Sequence, residues 1–215
     1  MKQMRKIMLG FLVAIFLMGL QVTSEAKKVP GVTDDTILIG AMAPITGPIA
    51  STGAAAHDSW QMVVDLANDA GGINGRKIKL IWEDTACVPA KGVAAIRKLI
   101  TRDKVFALAG GVCSNAITAG VPFIEKAKVP LLTGNCSAPN MTQPLKRYIF
   151  RVATTPSTWG GGSLAKAAVE YFKEKKIGII HFTDEYAVGQ RDGAMAYLKE
   201  ARVNPVFVAT FSAGD

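Results

Sequence analysis

The stretch Leu108-Ala109-Gly110-Gly111-Val112-Cys113-Ser114 runs from apolar residues into small and polar ones, and Ile81-Trp82-Glu83-Asp84-Thr85-Ala86-Cys87 does the same one segment earlier. Each pattern is typical of a β-strand that ends in a loop. In a parallel sheet such ends lie on one edge, where open α/β folds bind ligands. A disulfide between Cys87 and Cys113 would hold two site-forming loops together at that edge. This arrangement indicates a binding protein rather than an enzyme.

Strands and helices alternate on both sides of these two segments. Apolar runs predict strands at 37–42, 78–82, 105–109 and 129–133. Helices are predicted between them: the first from apolar residues at helical spacing, the second beginning near Pro89, and the third from Ser114 to Lys126. Because parallel strands need right-handed crossovers, this βαβαβαβ order predicts an α/β fold with a doubly wound parallel sheet.

The alternation of strands and helices starts again after a predicted extended crossing segment at 148–152, so we place a domain boundary at about residue 145. The predicted elements of the second unit are helices at 157–173 and 189–201 and strands at 177–182 and 206–209. Two strands are too few for a lobe of this kind. The predicted organisation is therefore a signal peptide at 1–26, a first ligand-binding lobe at 27–145 and the start of an incomplete second lobe at 146–215.

The first 26 residues have the features of an export signal. Three basic residues precede an apolar run from Ile7 to Leu20, which is too short to span a bilayer. Ser24-Glu25-Ala26 offers small residues to signal peptidase. We therefore expect cleavage after Ala26 and a periplasmic protein, with an uncleaved N-terminal anchor as the alternative.

Charge and histidine placement argue against two classes of function. The formal net charge of +8 is spread along the chain, whereas a nucleic-acid-binding surface needs a concentrated basic stripe. The two histidines, His57 and His181, lie beside no recognisable nucleophile motif and lack metal-ligand spacing. We therefore expect no nucleic-acid partner, no catalytic residue, no metal and no cofactor.

Three cysteines in an exported chain allow one disulfide and leave one thiol. Cys87 and Cys113 are the expected pair, so Cys136 is left over. For Cys136 we favour the role of a small buried hydrophobic side chain over that of a reactive thiol.

Ser114 is the strongest candidate for a ligand contact. As the N-cap of the helix predicted to begin there, it would hold its hydroxyl beside free backbone N–H groups, which suits a carboxylate. In the alternative, Ser114 only caps its own helix. Gly110-Gly111 before it, and a nearby loop that contains Asn135 and Ser137, favour ligand binding.

Several motifs are specific when taken together. They are Pro44-Ile45-Thr46-Gly47-Pro48, Gly71-Gly72-Ile73-Asn74-Gly75-Arg76, Asp84-Thr85-Ala86-Cys87, Cys113-Ser114 and Pro130-Leu131-Leu132-Thr133. In these motifs the chain resembles the periplasmic leucine/isoleucine/valine-binding protein family, the type 1 solute-binding components of branched-chain amino-acid ABC transporters. The resemblance covers the whole chain after residue 26.

The resemblance implies a two-lobed type 1 periplasmic-binding-protein fold that closes on a ligand in the cleft between its lobes. It implies a disulfide between Cys87 and Cys113. It assigns the carboxylate and ammonium groups of the ligand to Ser114 and to the loop of Asn135, Cys136 and Ser137. It also places the second-lobe acid that pairs with an ammonium group beyond Asp215.

Some positions depart from the family pattern. Asn135 and Cys136 stand where small apolar residues are usual, and Thr52 stands where an aromatic residue often stacks on the ligand. The stretch Asp184-Glu185-Tyr186-Ala187-Val188-Gly189 lacks the aromatic residue before its glycine, so that Tyr186 either compensates or simply packs. Trp159, near the hinge crossing, is a candidate for the cleft wall, with a buried position at a helix start as the alternative.

The expected function is that of an exported solute-binding component of an ABC importer. Its partners would be a membrane permease and a small carboxylate-bearing ligand, with a branched-chain or other apolar amino acid as the first choice. A binder of aromatic acids or amides is the alternative within the fold. The ligand-sensing ectodomain of a receptor is the alternative in another class.

Overall fold

The structure, a computed structural model, describes residues 28–152 and 155–212, and the predicted export signal lies outside them. The first part of the chain contains β1 (Thr36–Ala43), α1 (Ala50–Asp69), β2 (Lys77–Asp84), α2 (Pro89–Thr101), β3 (Ala107–Gly110), α3 (Ser114–Thr118), α4 (Val121–Ala127), β4 (Leu131–Thr133), a 3₁₀ turn (Pro139–Met141) and β5 (Ile149–Arg151).

The first sheet is parallel and has the strand order β2-β1-β3-β4-β5. The chain moves from β1 to β2 in one direction and then crosses back over β1 to reach β3. With the right-handed crossovers that connect parallel strands almost without exception, this order places α1 on one face of the sheet and α2 on the other. The predicted doubly wound parallel sheet is therefore confirmed.

The main core lies between the sheet and the helices that follow β2 and β3. Ile96, Leu99, Leu108, Ile117 and Ile124 are completely buried there. Burial of apolar side chains at this level is the main stabilising contribution to a lobe of this size.

The helix predicted from Ser114 to Lys126 is two helices, α3 and α4. Pro122 lies in the first turn of α4. A proline in a helix interior has no N–H to donate and clashes with the carbonyl four residues earlier, so one continuous helix is excluded here. The chain turns at Gly120, whose N–H donates to the carbonyl of Ile117 at 3.0 Å.

The predicted crossing segment at 148–152 contains a strand that pairs with the first sheet. Leu131, Leu132 and Thr133 of β4 are in register with the three residues of β5. The first sheet thus continues past the boundary predicted at about residue 145, and the point at which the lobes divide stays a prediction.

The second unit contains α5 (Ser157–Lys166), a π-helical turn (Ala167–Tyr171), β6 (Gly178–Phe182), α6 (Glu185–Glu200) and β7 (Phe207–Phe211). Strands β6 and β7 pair in parallel and form a sheet of two strands over the described residues. Helix α6 begins four residues before the predicted position because the Asp184 side chain caps it, accepting the N–H of Ala187 at 2.8 Å. In the described part of the chain, none of the helices has the length and apolar character needed to cross a membrane.

Candidate ligand-binding cleft

A cavity of about 810 Å³ lies where the two units face each other. Its first-lobe wall consists of the loops that follow β1, β2, β3 and β4, as expected for the carboxyl edge of a parallel sheet. Its opposite wall comes from the end of β6 and the start of α6. The lining residues are Pro48, Ile49, Ala86, Cys87, Val88, Val112, Cys113, Ser114, Asn115, Asn135, Ser137, Phe182, Asp184 and Tyr186.

Asp84 ties two of these loops together. Its Oδ1 accepts hydrogen bonds from the N–H groups of Ile45 and Ala86, both at 2.8 Å, and its Oδ2 accepts one from the Thr46 hydroxyl at 2.5 Å. Burial of the carboxylate disfavours its charge, but the hydrogen bonds from Thr46, Ala86 and Ile45 outweigh burial and hold the pKa of Asp84 below its usual value. The loops after β1 and β2 therefore have a fixed relative position.

We expect Asp84→Asn to lower the free energy of unfolding by about 2 kcal/mol near neutral pH, because a neutral amide accepts these hydrogen bonds less well. The pKa of Asp84 is lower in the folded state. Its stabilising contribution is therefore complete above the unfolded value of about 3.9 and is lost as the pH falls through the folded value.

Urea unfolding at neutral pH and below the folded pKa of Asp84 measures this contribution. The difference between wild type and Asp84→Asn should shrink in acid. Asp69→Asn, an exposed change at the end of α1, is the control and should have little effect at either pH. A difference for Asp84→Asn that stays constant with pH would contradict the assigned role.

The disulfide and the free thiol are as predicted. Cys87 and Cys113 are joined, with 5.4 Å between their Cα atoms, and Cys136 is free and buried. Both bridged residues line the cleft. Ala86 and Cys87 have positive φ angles of 43° and 59°, a conformation that side-chain-bearing residues adopt only where their surroundings impose it.

The structure corrects the predicted role of Ser114 as an N-cap. Cys113 occupies the N-cap position in an extended conformation, and Ser114 is the first residue of α3. The Ser114 oxygen accepts the N–H of Ala138 at 3.2 Å, so the hydroxyl joins the loop after β3 to the loop after β4. Because Ser114 also lines the cleft, its hydroxyl hydrogen is available to an acceptor there.

The loop after β4 contributes two of its three predicted residues to the cleft wall. Asn135 and Ser137 line the cavity, and the carbonyl of Ser137 accepts the N–H of Ser157 at 2.8 Å, which joins the two units. Cys136 is completely buried behind the wall, and its Sγ donates to the carbonyl of Gly111 at 3.3 Å. Burial raises the pKa of the Cys136 thiol to about 11. This placement does not support the predicted contact of Cys136 with a ligand.

Two other predicted residues lie away from the wall. Thr52 is exposed in the first turns of α1, and its loop contributes Pro48 and Ile49 to the cleft instead. Trp159 is 66% exposed on α5 and does not line the cavity. Neither the predicted cleft position nor the buried alternative therefore describes Trp159.

The second-lobe wall contains residues that sequence reasoning missed or left open. Phe182 ends β6, and Asp184 and Tyr186 flank the start of α6; all three line the cleft. The Tyr186 hydroxyl oxygen accepts Nε2–H of Gln190 at 2.5 Å, so its own hydrogen is available to a ligand. The helix-capping position of Asp184 was the signal that could have placed this wall, because N-caps of helices after parallel strands lie at the carboxyl edge of the sheet.

The cleft thus combines hydroxyl and amide groups on one side with aromatic rings and a carboxylate on the other. Over the described ranges 28–152 and 155–212, no group of His, Cys, Asp and Glu side chains is placed to hold a metal ion. A pocket of this size with few polar groups suits a small organic ligand. Fold and cleft together define an α/β protein with a ligand-sized cleft between two units.

The comparison with known families agrees. The family model for periplasmic binding proteins matches residues 36–214, and the chain belongs to this family. Two Pseudomonas aeruginosa proteins are similar to it, an amino acid binding protein at 30% identity and a leucine-, isoleucine-, valine-, threonine- and alanine-binding protein at 29%. These matches cover 83% and 84% of this chain and 48% of each relative. The chain thus spans about half the length of the curated relatives it matches.

Solved structures show the same fold. A branched-chain amino acid transporter substrate-binding protein from Streptococcus pneumoniae, in complex with isoleucine, matches with a TM-score of 0.73 and 29% identity over 84% of this chain and 51% of its own. A solute-binding protein from R. palustris, in complex with 4-hydroxybenzoate, matches with a TM-score of 0.71 and 22% identity over 84% of this chain and 48% of its own. The second lobe of this chain is accordingly incomplete relative to these proteins.

Proposed function

We propose that this protein is the exported solute-binding component of an ABC importer and that it binds a small amino acid in the cleft between its lobes. The single observation that carries the proposal is the composition of the cleft, which unites the hydroxyls of Ser114 and Tyr186 with the carboxylate of Asp184. Both hydroxyl oxygens already accept hydrogen bonds, so both groups can donate to a carboxylate. Asp184 supplies a negative charge for an ammonium group, in addition to the second-lobe acid that the family resemblance places beyond Asp215.

A branched-chain or other apolar amino acid is the first choice of ligand. The apolar part of the wall, which includes Ile49, Val88 and Val112, suits an aliphatic side chain. The names of the relatives point the same way, since they include leucine-, isoleucine- and valine-binding proteins. Export by cleavage after Ala26 and delivery of the ligand to a membrane permease are parts of the same proposal.

A binder of aromatic acids is the second candidate. Phe182 and Tyr186 place two aromatic rings in the wall, and offset or edge-to-face packing of rings adds to the free energy of burial. An aromatic acid would use the donors at Ser114 and Tyr186 but would leave Asp184 without a cation. The two candidates therefore differ in their dependence on Asp184.

We expect Asp184→Asn to weaken amino-acid binding by roughly ten- to a hundredfold, because it removes a hydrogen bond between charged groups. Asn caps helices about as well as Asp, so α6 and the fold should be retained. Isothermal titration calorimetry of wild type and variant with leucine tests the amino-acid candidate, and the same titration with benzoate tests the aromatic-acid candidate. Unchanged leucine affinity together with tighter benzoate binding would favour the aromatic-acid candidate.

We expect Ser114→Ala to weaken binding of any carboxylate ligand by roughly ten- to a hundredfold. The expected loss of stability is smaller, about 1 kcal/mol, for the hydrogen bond to Ala138. The matched control is Ser163→Ala, since Ser163 is exposed on α5 and lies outside the cleft. A thermal-shift panel of amino acids, aromatic acids and their neutral amides would identify the ligand, and calorimetry would quantify the loss. Unchanged affinity with lowered stability would show that Ser114 only joins two loops.

The ectodomain of a ligand-sensing receptor would use the same cleft. Stimulation of the ATPase activity of a reconstituted permease by the liganded protein tests the transport proposal directly. Tight ligand binding with no stimulation of the reconstituted permease would favour sensing.

A further inference from the structure

A second, smaller cavity lies beside the cleft and inside the first lobe. It measures about 60 Å³ and is walled by Trp60 of α1, Trp82 of β2, Met42 of β1 and the glycine-containing loops after β3 and β4. Val112 and Asn135 line both this cavity and the interlobe cleft. A ligand that fills the cleft therefore lies next to the small cavity, because Val112 and Asn135 border both spaces.

Trp82 is the residue in the wall of the small cavity that carries an unpaired polar group. Its indole Nε1 is buried and has no hydrogen-bond acceptor among the described residues. Indole N–H only donates, and a buried donor without an acceptor is unfavourable. Trp82 lies on β2 in register with Ala41 of β1, and His57 packs against its ring with 4.5 Å between ring centroids. The buried indole N–H therefore has no acceptor within the described protein.

We propose that this cavity is a subsite for the far end of the ligand, where an oxygen atom accepts a hydrogen bond from Nε1 of Trp82. The inference rests on the proposed binding of a carboxylate-bearing ligand in the cleft. Within that function it favours acids that carry a second hydrogen-bond acceptor, such as a polar amino acid or a hydroxylated aromatic acid, over the branched-chain amino acids. A water-sized group needs a cavity volume of ~10–15 Å³. The small cavity therefore has room for a hydroxyl, carbonyl or carboxamide group at the end of a ligand but not for an aromatic ring.

Two matched pairs of ligands test the subsite by calorimetry on the full chain: leucine with its near-isostere asparagine, and benzoate with 4-hydroxybenzoate. We expect the oxygen-bearing member of at least one pair to bind about tenfold more tightly. Trp82→Phe keeps an aromatic ring and removes the N–H, so it should cancel this preference. Trp60→Phe alters the same wall and leaves the unpaired donor, so it should retain the preference. Equal affinities within both pairs, or cancellation by both variants, would overturn the subsite.

Acetamide tests the subsite independently of the proposed carboxylate-binding function, because it carries a hydrogen-bond acceptor but no acid group. The readout is the indole N–H resonance of Trp82, assigned by its disappearance in Trp82→Phe. A shift with acetamide in a chain that binds none of the acids would uphold the subsite and refute the carboxylate-binding cleft. Acid binding without a preference, and without a shift by acetamide, would uphold the proposed function and overturn the subsite.

Discussion

The double variant Cys87→Ser/Cys113→Ser should unfold with a free energy about 3.5 kcal/mol lower than that of the oxidised wild type. The two cysteines are 26 residues apart in sequence, and in the chain-entropy model a crosslink of this span restricts the unfolded chain by about that amount. The bridge also joins two loops of the cleft wall, so ligand affinity should fall together with stability. Urea unfolding with and without ligand measures both effects.

Reduction provides the control for this prediction. Reduced wild type should behave like the double variant, and the double variant should not respond to a reducing agent. Cys136 should stay unalkylated in the folded protein, because burial raises its pKa to about 11 and only the thiolate reacts. A peptide map with Cys136 in the major disulfide, or equal unfolding midpoints for the oxidised and reduced protein, would contradict the assignment.

The change Gly161→Ala should destabilise the second lobe by about 3 kcal/mol. Gly161 lies where α5 crosses α6, and a Cβ atom there would be 1.8 Å from the carbonyl oxygen of Gln190. Gly193 makes the reciprocal contact, with 1.8 Å to the carbonyl oxygen of Thr158. Because backbone faces backbone on both sides, no flexible side chain can move aside, and the helices must separate.

The adjacent residue gives a matched control. A Cβ atom at Gly160 would meet nothing closer than Nε2 of Gln190 at 3.6 Å. Gly160→Ala should therefore be neutral or stabilise the helix by up to about 1 kcal/mol, as alanine does in helix interiors. Thermal unfolding and hydrogen exchange of β6 and α6 would report the difference. Equal behaviour of the two variants would show that the helices are not in close contact.

The second lobe matters for the proposed function because it supplies one wall of the cleft. Phe182, Asp184 and Tyr186 belong to the end of β6 and the start of α6, and α6 is held in place by its packing on α5. Loosening of this packing by Gly161→Ala should therefore weaken ligand binding even though Gly161 does not line the cleft.

Much of the first lobe could be predicted from its sequence. The alternation of apolar runs and helical periodicity predicted the parallel sheet, because burial on both faces of a strand or on one face of a helix leaves a local pattern. The pairing of Cys87 with Cys113 followed from two strand ends on one sheet edge. The break between α3 and α4 was also readable in principle from Pro122, because proline does not fit a helix interior.

Other features depended on contacts between segments that are distant along the chain. Ser114 lines the cleft, but its hydrogen-bond partner, Ala138, comes from a loop 24 residues away, and no local pattern identifies that partner. Cys136 was expected to contact the ligand, yet packing of the loop after β4 turned it behind the wall. Asp184 and Phe182 lie at the cleft only because the second unit faces the first.

The sequence by itself determined the fold class, the sheet edge that carries the site and the disulfide that joins two of its loops. These properties follow from periodicities and strand ends that each segment contains. Only the tertiary structure decided which side chains face the cleft, that Asp84 holds two loops together and that the Nε1 of Trp82 is buried without an acceptor. The physical reason is that hydrogen-bond partners and burial depend on how separate segments pack in space, and neighbouring residues in the chain do not record that arrangement.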